Sequence, residues 1–317
     1  MTAPDTVAAA RVAAAARLPS RIAFLGFGLI GGSIALALRE AGSAARFVAW
    51  TPEGNGPAEG ARRGLLDEAS ASADGAIEGA DLVILAGPPL SVIATLGELG
   101  ERAGGLRAAI HGGATITDVA STKRLVVEAA AAHGLRFVGG HPMAGRETTG
   151  LASATSDLFV DRPWVVVPSG GASPIDVERV EALAAAVGAR STRMTAAEHD
   201  AAVAAISHLP LILAAALVES VADSPEGAAS WPTARLLAAG GWAGMTRLAR
   251  GDPEMGAGIL ATNADAVSER LHTFRGVIDA WLALLDSEQA NTDADATAIR
   301  GRLQAARSAL QAPAGRR

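Results

Sequence analysis

Cysteine and tyrosine are absent from this sequence of 317 residues, and aromatic residues make up only 3% of it. Without cysteine the chain can form neither disulfide bonds nor thiolate metal sites, which fits a cytoplasmic location. Few aromatic side chains are available to stack on bases, the net charge is −6, and no basic block occurs. These properties argue against nucleic acid as a partner.

Long apolar runs and lysine are also scarce. No run of about 18 apolar residues is free of charges and glycines, so the sequence predicts no membrane span. Residues 1–19 are rich in alanine but lack the apolar core and cleavage site of a secretory signal, so we expect a flexible N-terminal extension. Lys123 is the only lysine. Hydrophobic residues make up 50% of the chain, and its length suits two domains.

A glycine-rich turn follows the first predicted strand, residues 21–25. The turn, Gly26–Gly31, has the pattern G-x-G-x-x-G and leads directly into a predicted helix. In this pattern Gly26 makes the tight turn, Gly28 lets a pyrophosphate approach the backbone, and Gly31 lets the helix pack on the strand. The helix N-terminus then binds phosphate through its free N–H groups and its dipole. This context predicts a dinucleotide-binding domain rather than a purely structural turn.

The end of the next predicted strand, residues 47–50, bears on the choice of cofactor. An acidic residue at this place would bind the ribose diol of NAD. Thr51 stands there instead, and Glu53 follows two residues later. Arg62 and Arg63 lie further along and can bind a 2′-phosphate. We therefore predict NAD or NADP as the cofactor, with the missing acid favouring NADP.

Strands and helices alternate up to about residue 168, where a last strand is expected at the sheet edge. This alternation predicts an α/β fold with a Rossmann-type, doubly wound parallel sheet, whose ligands bind at the carboxyl ends of the strands. Ser121 and His141 both follow predicted strands, as does Gly87–Pro89, so they are expected on the same rim as the glycine turn. The residues predicted to bind the cofactor are Gly26, Phe27, Gly28, Leu29, Ile30, Gly31, Thr51, Gly87 and Pro88.

His141 lies in the segment Gly139–Glu147, between a glycine and a proline. Gly140 frees the backbone, and Pro142 pushes His141 towards extended or turn geometry. The ordinary pKa of histidine near 6.5 suits an acid or a base. A lone loop histidine usually has no special role, and it is the predicted position beside the glycine turn that makes His141 a candidate base.

Strand patterns end near residue 194, and the rest of the chain is predicted to be helical. Residues 195–222 form one long predicted helix with Pro210 inside it, and few charges occur in 201–218. Such an apolar stretch favours burial in a homodimer interface. The predicted organisation is a flexible extension at 1–19, a Rossmann domain at 20–172, a helical substrate and dimerisation domain at 173–286, and a polar tail at 287–317.

Five motifs occur in a characteristic order: Gly26–Ser33, Asp118–Lys123, Gly140–Gly145, Ser207–Pro210 and Met245–Arg247. In this order they resemble the prephenate and arogenate dehydrogenases of tyrosine biosynthesis. The resemblance spans about residues 21–285, and its specific element is His-Pro-Met-Ala-Gly. A glycine motif alone would fit many families.

The resemblance implies an oxidative decarboxylation of a cyclohexadiene that carries a C4 hydroxyl and a ring carboxylate. Hydride leaves C4 for the nicotinamide, the hydroxyl loses its proton, and CO2 departs as the ring becomes aromatic. His141 matches the family's base, and Ser121 matches the serine that orients it. Arg247 matches the arginine that binds the ring carboxylate, a task that suits a guanidinium.

Several of these residues also have simpler interpretations. Ser121 is equally well placed to cap a helix N-terminus. Lys123 is a candidate substrate-binding residue, but it can also be a surface lysine. His208 is a candidate substrate-binding residue or a hydrogen-bonded core histidine. His199, next to Asp200 at a helix start, favours capping or packing over catalysis.

The sequence departs from many prephenate-specific relatives at two places. Leu211 stands where they have a second histidine, and Gly256 where they have tryptophan. This pattern is more similar to arogenate-using members, and Glu147 in the predicted substrate loop can pair with an ammonium group.

The resemblance thus predicts prephenate dehydrogenase, with arogenate dehydrogenase, which gives tyrosine directly, as the alternative. A β-hydroxyacid dehydrogenase is a further rival, but such enzymes usually use a lysine of the helical domain, and none follows Lys123. A non-catalytic dinucleotide-sensing protein is opposed by the presence of His141, Ser121 and Arg247 together.

Overall fold

An eight-stranded sheet organises the first part of the chain. The computed structural model describes residues 3–101, 106–286 and 293–311. The strands of the sheet are β1 (Arg21–Leu25), β2 (Arg46–Trp50), β3 (Glu68–Ala69), β4 (Leu82–Leu85), β5 (Thr115–Asp118), β6 (Phe137–Pro142), β7 (Pro163–Pro168) and β8 (Arg190–Arg193).

Helices cover both faces of this sheet and make up most of the other regular structure in the described chain. They are α1 (Ala3–Ala15), α2 (Leu29–Glu40), α3 (Asn55–Arg62), α4 (Ala73–Ile77), α5 (Pro89–Gly100), α6 (Leu106–Ala109), α7 (Arg124–Ala132), α8 (Pro174–Ala186), α9 (Ala196–Val203), α10 (Leu209–Val218), α11 (Pro225–Leu237), α12 (Gly240–Met245), α13 (Pro253–Thr262), α14 (Ala264–Leu285) and α15 (Asp293–Gln311). Short 3₁₀ turns occur at Leu151–Ser153 and Arg247–Arg250.

The predicted doubly wound sheet is confirmed. Its strand order is β3-β2-β1-β4-β5-β6-β7-β8, and every neighbouring pair is parallel except β6 and β7. The last predicted strand is not at the edge, because β8 pairs with it on the far side. All four residues of β8 are exposed, and two of them are arginines, so no apolar pattern marks this strand in the sequence.

The strand order reverses direction between β1 and β4, and such a switch point opens a crevice at the carboxyl ends of the strands. Gly26 follows β1 with a φ of 106°, a left-handed conformation that favours glycine. A Cβ atom on Gly26 would lie 2.4 Å from the carbonyl oxygen of Ala86, which follows β4. The two strand ends can approach this closely only because no side chain separates them.

The helical run after the sheet is continuous from Ala196 to Asp223. It consists of α9, a π-helical turn at Ala204–His208, α10, and a second π-helical turn at Glu219–Asp223. Pro210 lies in the first turn of α10, where its missing N–H is tolerated, and the wider π-helical turn precedes it. We expected no apolar run of this length from the sequence, yet by length and composition alone this run could cross a membrane. Only 22% of its most apolar window is buried in the protomer.

The N-terminal segment is helical where we expected a flexible extension. Helix α1 packs on α8, and Ala14 and Ala15 are buried. Arg11 anchors the helix by donating to the carbonyl oxygen of Ala186 at 3.2 Å and to that of Ala37 at 3.1 Å. Alanine suits this packing because it is a strong helix former with a small side chain.

The described chain divides into two compact units after Val267. The second unit, Ser268–Arg317, holds most of α14 and all of α15. Within it Arg302 lies over the ring of Trp281, 4.3 Å from the centroid, and donates to the carbonyl oxygen of Ala280. The predicted polar tail at 287–317 contains α15, and residues 287–292 and 312–317 lie outside the described residues.

Gly26→Ala should lower the free energy of unfolding by roughly 1–3 kcal/mol or more, because overpacking against Ala86 adds to backbone strain. The measurement is urea denaturation at fixed protein concentration. Gly97→Ala is the matched control, since Gly97 lies inside α5 and an added methyl group there would meet no atom within 4 Å. That control should be neutral or slightly stabilising, and equal losses in both variants would contradict the close contact at Gly26.

Candidate active site

A cavity of about 650 Å³ opens where the central strands end. Its walls come from the turns after β1 and β4, from the segments after β5 and β6, and from the helical part between Ile206 and Ile259. Most of the sequence-predicted site residues line it, namely Gly28, Leu29, Ile30, Gly87, Pro88, Ser121, His141, Glu147, His208 and Arg247. Residues from distant parts of the chain therefore meet on one rim.

The other predicted site residues lie outside the cavity wall. Phe27 is 1% exposed and belongs to the core. Gly26 and Gly31 support the turn from behind, since a Cβ atom on Gly31 would lie 2.7 Å from the carbonyl oxygen of Gly26. Thr51 follows β2, and its hydroxyl accepts a hydrogen bond from the next turn. Lys123, expected to bind substrate, is fully buried beneath the cavity floor and is engaged in an ion pair.

The turn after β1 has the properties that a dinucleotide phosphate requires. Gly28 is the N-cap residue of α2, and no side chain caps the helix. The first turn of α2 carries no acidic residue that would offset the helix dipole. The nearest atom to a Cβ position on Gly28 is 3.9 Å away, in Gly150, so the backbone N–H groups are open to a ligand. The residues present fit a pyrophosphate.

Asp118 holds the residues at the floor of the cavity in place through hydrogen bonds and an ion pair. Its Oδ1 accepts from the backbone N–H of Gly140 at 2.9 Å, and its Oδ2 accepts from that of Ala120 at 2.9 Å and from the Nζ of Lys123. Both charged side chains are fully buried. Burial raises the pKa of Asp118, and the ammonium group of Lys123 opposes that shift. One carboxylate thus fixes the segment that carries Ser121 and the strand that carries His141.

A second carboxylate, Asp200, caps helix α7. It accepts from the backbone N–H groups of Lys123 at 2.8 Å and Arg124 at 2.9 Å, the first donors of that helix. Burial opposes ionisation, but hydrogen bonds from His199 and from these two N–H groups lower the pKa of Asp200. Since the cap comes from α9, Ser121 does not serve as the N-cap residue of α7.

Two histidines connect this carboxylate to the cavity. His141 Nδ1 lies 2.8 Å from His199 Nε2, and His199 Nδ1 lies 2.7 Å from Asp200 Oδ1. All three residues are buried. Helix α9 brings the pair into place because a capping box formed by Thr195 and Glu198 fixes where the helix starts.

The electrostatic surroundings keep His141 neutral. Burial lowers the pKa of His141 well below its ordinary value, and positive charge on His199, Lys123 or His208 would lower it further. The Nδ1 atom contacts His199, whereas no protein partner is found for Nε2 among the described residues. A neutral imidazole in a largely apolar cavity is suited to accept a proton.

His208 presents a hydrogen-bond donor to the same cavity. The side-chain Nδ2 of Asn263 donates to the carbonyl oxygen of Asp200 at 2.9 Å and lies 3.2 Å from His208 Nδ1. This amide fixes Nδ1 as an acceptor, so the proton of the neutral ring is on Nε2. That atom is buried without a protein partner among the described residues. Burial lowers the pKa of His208 to about 4, which keeps the ring neutral.

Arg247 and Glu147 form an ion pair at the cavity wall. Arg247 begins the 3₁₀ turn after α12, and Glu147 follows β6. The arginine side chain is 59% exposed, so solvent weakens the attraction and the guanidinium remains available to another anion.

The two positions at which the sequence departs from prephenate-specific relatives are neighbours in the structure. Leu211 and Gly256 both line the cavity, and a Cβ atom on Gly256 would lie 3.7 Å from a methyl group of Leu211. Together they form an apolar section of wall that offers no side-chain hydrogen bond.

His199 and Asp200 are the residues of this site that sequence reasoning missed. A histidine and an aspartate that directly follow a capping box are a visible local signal. Its partner His141 lies 58 residues earlier, and no local pattern connects the two.

Comparison with known proteins gives a consistent assignment. The sequence model of the prephenate dehydrogenase nucleotide-binding domain matches residues 34–193, and that of the prephenate dehydrogenase dimerization domain matches residues 195–296. Prephenate dehydrogenase of Bacillus subtilis is 31% identical over 277 residues, which are 86% of this chain and 72% of that protein.

Solved structures agree in fold. The Synechocystis arogenate dehydrogenase has a TM-score of 0.72 at 28% identity, over 92% of this chain and 99% of that one. A prephenate dehydrogenase from A. aeolicus, in complex with hydroxyphenyl propionate and NAD+, has a TM-score of 0.78 at 24% identity, over 92% and 98% of the two chains.

The nucleotide-binding sheet, the helical part and their common cavity define an oxidoreductase that uses a nicotinamide dinucleotide. More particularly, this chain belongs to the prephenate dehydrogenase family. Both sequence predictions, of the class and of the family, are confirmed.

The burial of neutral His208 predicts a loss of stability in acid. Its pKa is near 6.5 in the unfolded chain and about 4 in the folded protein, so only the unfolded chain gains a proton between these values. As pH falls through this window the free energy of unfolding should drop, by at most about 3 kcal/mol from this residue. Urea denaturation from pH 7.5 to 4.5 measures the drop.

His208→Gln should make this pH dependence less steep, with the part due to buried His141 remaining, whereas the exposed His133→Gln should leave it unchanged. An equally steep loss in wild type and His208→Gln would mean that other groups account for the acid sensitivity.

Proposed function

We propose that the protein is a prephenate dehydrogenase that converts prephenate to 4-hydroxyphenylpyruvate and CO2 in tyrosine biosynthesis. The observation that carries the proposal is the neutral, buried His141 on the same cavity wall as the open glycine turn and Arg247. A base, a cation for a carboxylate and a phosphate-binding turn are the groups that this reaction requires. Membership of the family supports the same conclusion.

In this proposal His141 accepts the proton of the C4 hydroxyl at Nε2. The bound nicotinamide supplies the acceptor for the hydride that leaves C4. Ser121, which also lines the cavity, orients the hydroxyl and the imidazole through its own hydroxyl. Loss of CO2 from the dienone follows because it makes the ring aromatic, so no further side chain need act on that step.

Two groups bind the carboxylates of the substrate. Arg247 binds the ring carboxylate, because a guanidinium can give two parallel hydrogen bonds and retains donors beyond its contact with Glu147. His208 donates from Nε2 to the side chain of the substrate, which provides the partner that this buried N–H lacks among the described residues.

Arogenate is the second candidate substrate. It differs from prephenate in having an amino acid in place of the keto acid. The apolar wall at Leu211 and Gly256 gives a keto group no hydrogen bond, and Glu147 at the cavity wall can attract an ammonium group. These observations favour an enzyme that also accepts arogenate.

For the cofactor we infer a preference for NADP over NAD. The hydroxyl of Thr51 follows β2 where an acid would repel a 2′-phosphate, and Arg63 is exposed at the end of α3. Arg62 is paired with Glu59 and is therefore less available.

We further propose a cytoplasmic homodimer formed through the helical part. The run Ala196–Asp223 is apolar yet mostly unburied in the protomer, which suits an interface better than solvent. The family model that covers this part is described as a dimerization domain. The domain boundaries at 20–172 and 173–286 remain our prediction, with the sheet extending to Arg193.

The decisive assay crosses prephenate and arogenate with NAD+ and NADP+ and follows absorbance of the reduced nicotinamide. We expect turnover of prephenate, slower or comparable turnover of arogenate, and a higher kcat/KM with NADP+. A panel of β-hydroxy acids serves as the negative control. Turnover of a β-hydroxy acid with neither cyclohexadiene active would contradict the proposed function.

In the same assay His141→Asn should lower kcat by about 10²- to 10⁴-fold, the range for loss of a general base. An unchanged kcat in this variant would contradict the assignment of the base.

The reaction needs neutral His141, and its pKa is well below 6.5. The kcat/KM of the wild type should therefore stay constant from pH 7.5 to 6.5 and fall only at lower pH.

Arg247→Ala should raise KM for prephenate more than it lowers kcat, because it removes a contact present before and during the reaction. Arg250→Ala is the matched control, since Arg250 ends the same 3₁₀ turn without lining the cavity. A change confined to kcat would mean that Arg247 does not bind the substrate carboxylate in the ground state.

A further inference from the structure

We propose that His199 and Asp200 are positioning residues that set the tautomer of His141 and stabilise it after it has accepted a proton. The inference deepens the proposed function and rests on His141 being the base. It is carried by the unbroken contact chain from Asp200 through His199 to His141, which leads from a helix N-terminus to the cavity.

With both histidine rings neutral, the contacts determine where each proton lies. Asp200 is an ionised carboxylate and can only accept, so the proton on the adjacent ring of His199 is on Nδ1. A neutral His199 then has a lone pair on Nε2, and His141 must donate to it from Nδ1. His141 is left with an unprotonated Nε2. The base is thereby held in the one tautomer that can take a proton at this atom.

The same chain acts after the proton has been accepted. Protonated His141 keeps its Nδ1–H bond to His199, and the negative charge of Asp200 lies one ring further on. The surroundings otherwise disfavour a cation here, because the site is buried and Lys123 lies beneath it. The pair therefore raises the proton affinity of a histidine that burial has made a weak base.

Every titratable group near His141 enters this balance. Any positive charge on His199 or His208 and the charge of Lys123 oppose protonation of His141. The negative charge of Asp200, which lies one ring further along the same contact chain, favours it. Asp118 is compensated locally by its ion pair. The titratable and charged groups around the ring are Asp118, Lys123, His199, Asp200 and His208, and those at the cavity wall are Arg146, Glu147, Arg247 and Asp252.

A purely structural role would explain only half of the arrangement. Capping of α7 requires the carboxylate of Asp200 but not the ring of His199. His199 is 1% exposed, yet it is not merely packed, because both of its ring nitrogens contact titratable side chains.

Two substitutions at one position separate the interactions. In His199→Gln the amide reaches about as far as imidazole Nε2, so it can still accept from His141 but loses Asp200. In His199→Asn the shorter amide can still bind Asp200 but loses His141. The exposed His133→Asn is the control. The quantities to measure are kcat, KM and the acid limb of the pH profile, which is the fall of kcat/KM at low pH. They are measured with the substrate that the wild type turns over.

For His199→Asn we expect kcat to fall by about tenfold or more, short of the 10²–10⁴ for loss of the base itself. KM should change little, and the acid limb should move to lower pH because the protonated form of His141 loses support. His199→Gln should recover part of kcat, since the tautomer is restored while the charge is not. The proposal is overturned if His199→Asn leaves the acid limb of the wild type in place, or if His199→Gln is no better.

The tautomer can be tested without catalysis. The chain has 6 histidines, so ring ¹⁵N–¹H spectra of the whole protein are resolvable, and His141→Asn assigns the signal. At pH 7 we expect His141 to be protonated on Nδ1 and not on Nε2. An Nε2–H tautomer overturns the proposal even if the enzyme turns over prephenate. The expected tautomer in a protein inactive on both cyclohexadienes would support the positioning role while the proposed function fails.

Discussion

The candidate active site depends on the buried carboxylate of Asp118 more than on any other single group. It joins the ends of two neighbouring strands by accepting from Gly140 and from Ala120, and it balances the only lysine of the chain. Burying two charges is costly, and the cost is offset only when each lone pair is hydrogen-bonded, as the oxygens of Asp118 are. Removing either partner would leave an uncompensated charge beneath the cavity.

Further order follows from this cluster. Because Asp118 holds Lys123 in place, the first backbone N–H groups of α7 have a fixed direction. Asp200 of α9 accepts hydrogen bonds from them. The helical part is thereby joined to the sheet through a carboxylate at a helix N-terminus, an interaction that the helix dipole strengthens. His199 comes with Asp200 and reaches His141. The residues that join the helical part to the sheet therefore also form the surroundings of the base His141.

The fold could be predicted largely from local patterns. Buried parallel strands have continuous apolar sequences, and the glycine turn after β1 has a specific spacing, so both were recognisable. Strand β8 was not, because its four residues are polar and exposed and it forms only through pairing with β7. Residues 1–19 were expected to form a flexible extension, because they are rich in alanine and lack the features of a secretory signal. Helix α1 instead forms there, and Arg11 secures it through bonds to distant carbonyl oxygens.

The nucleotide-binding turn, the strand-end histidine and the family are all recognisable in the sequence, because each depends on short motifs of adjacent residues. The burial of Lys123 in an ion pair and the contact of His199 with His141 emerge only in the folded chain. The same is true of the adjacency of Leu211 and Gly256 in the cavity wall. The physical reason is that protonation, burial and cavity shape are set by groups brought together from distant segments, and no periodicity or spacing records those distances.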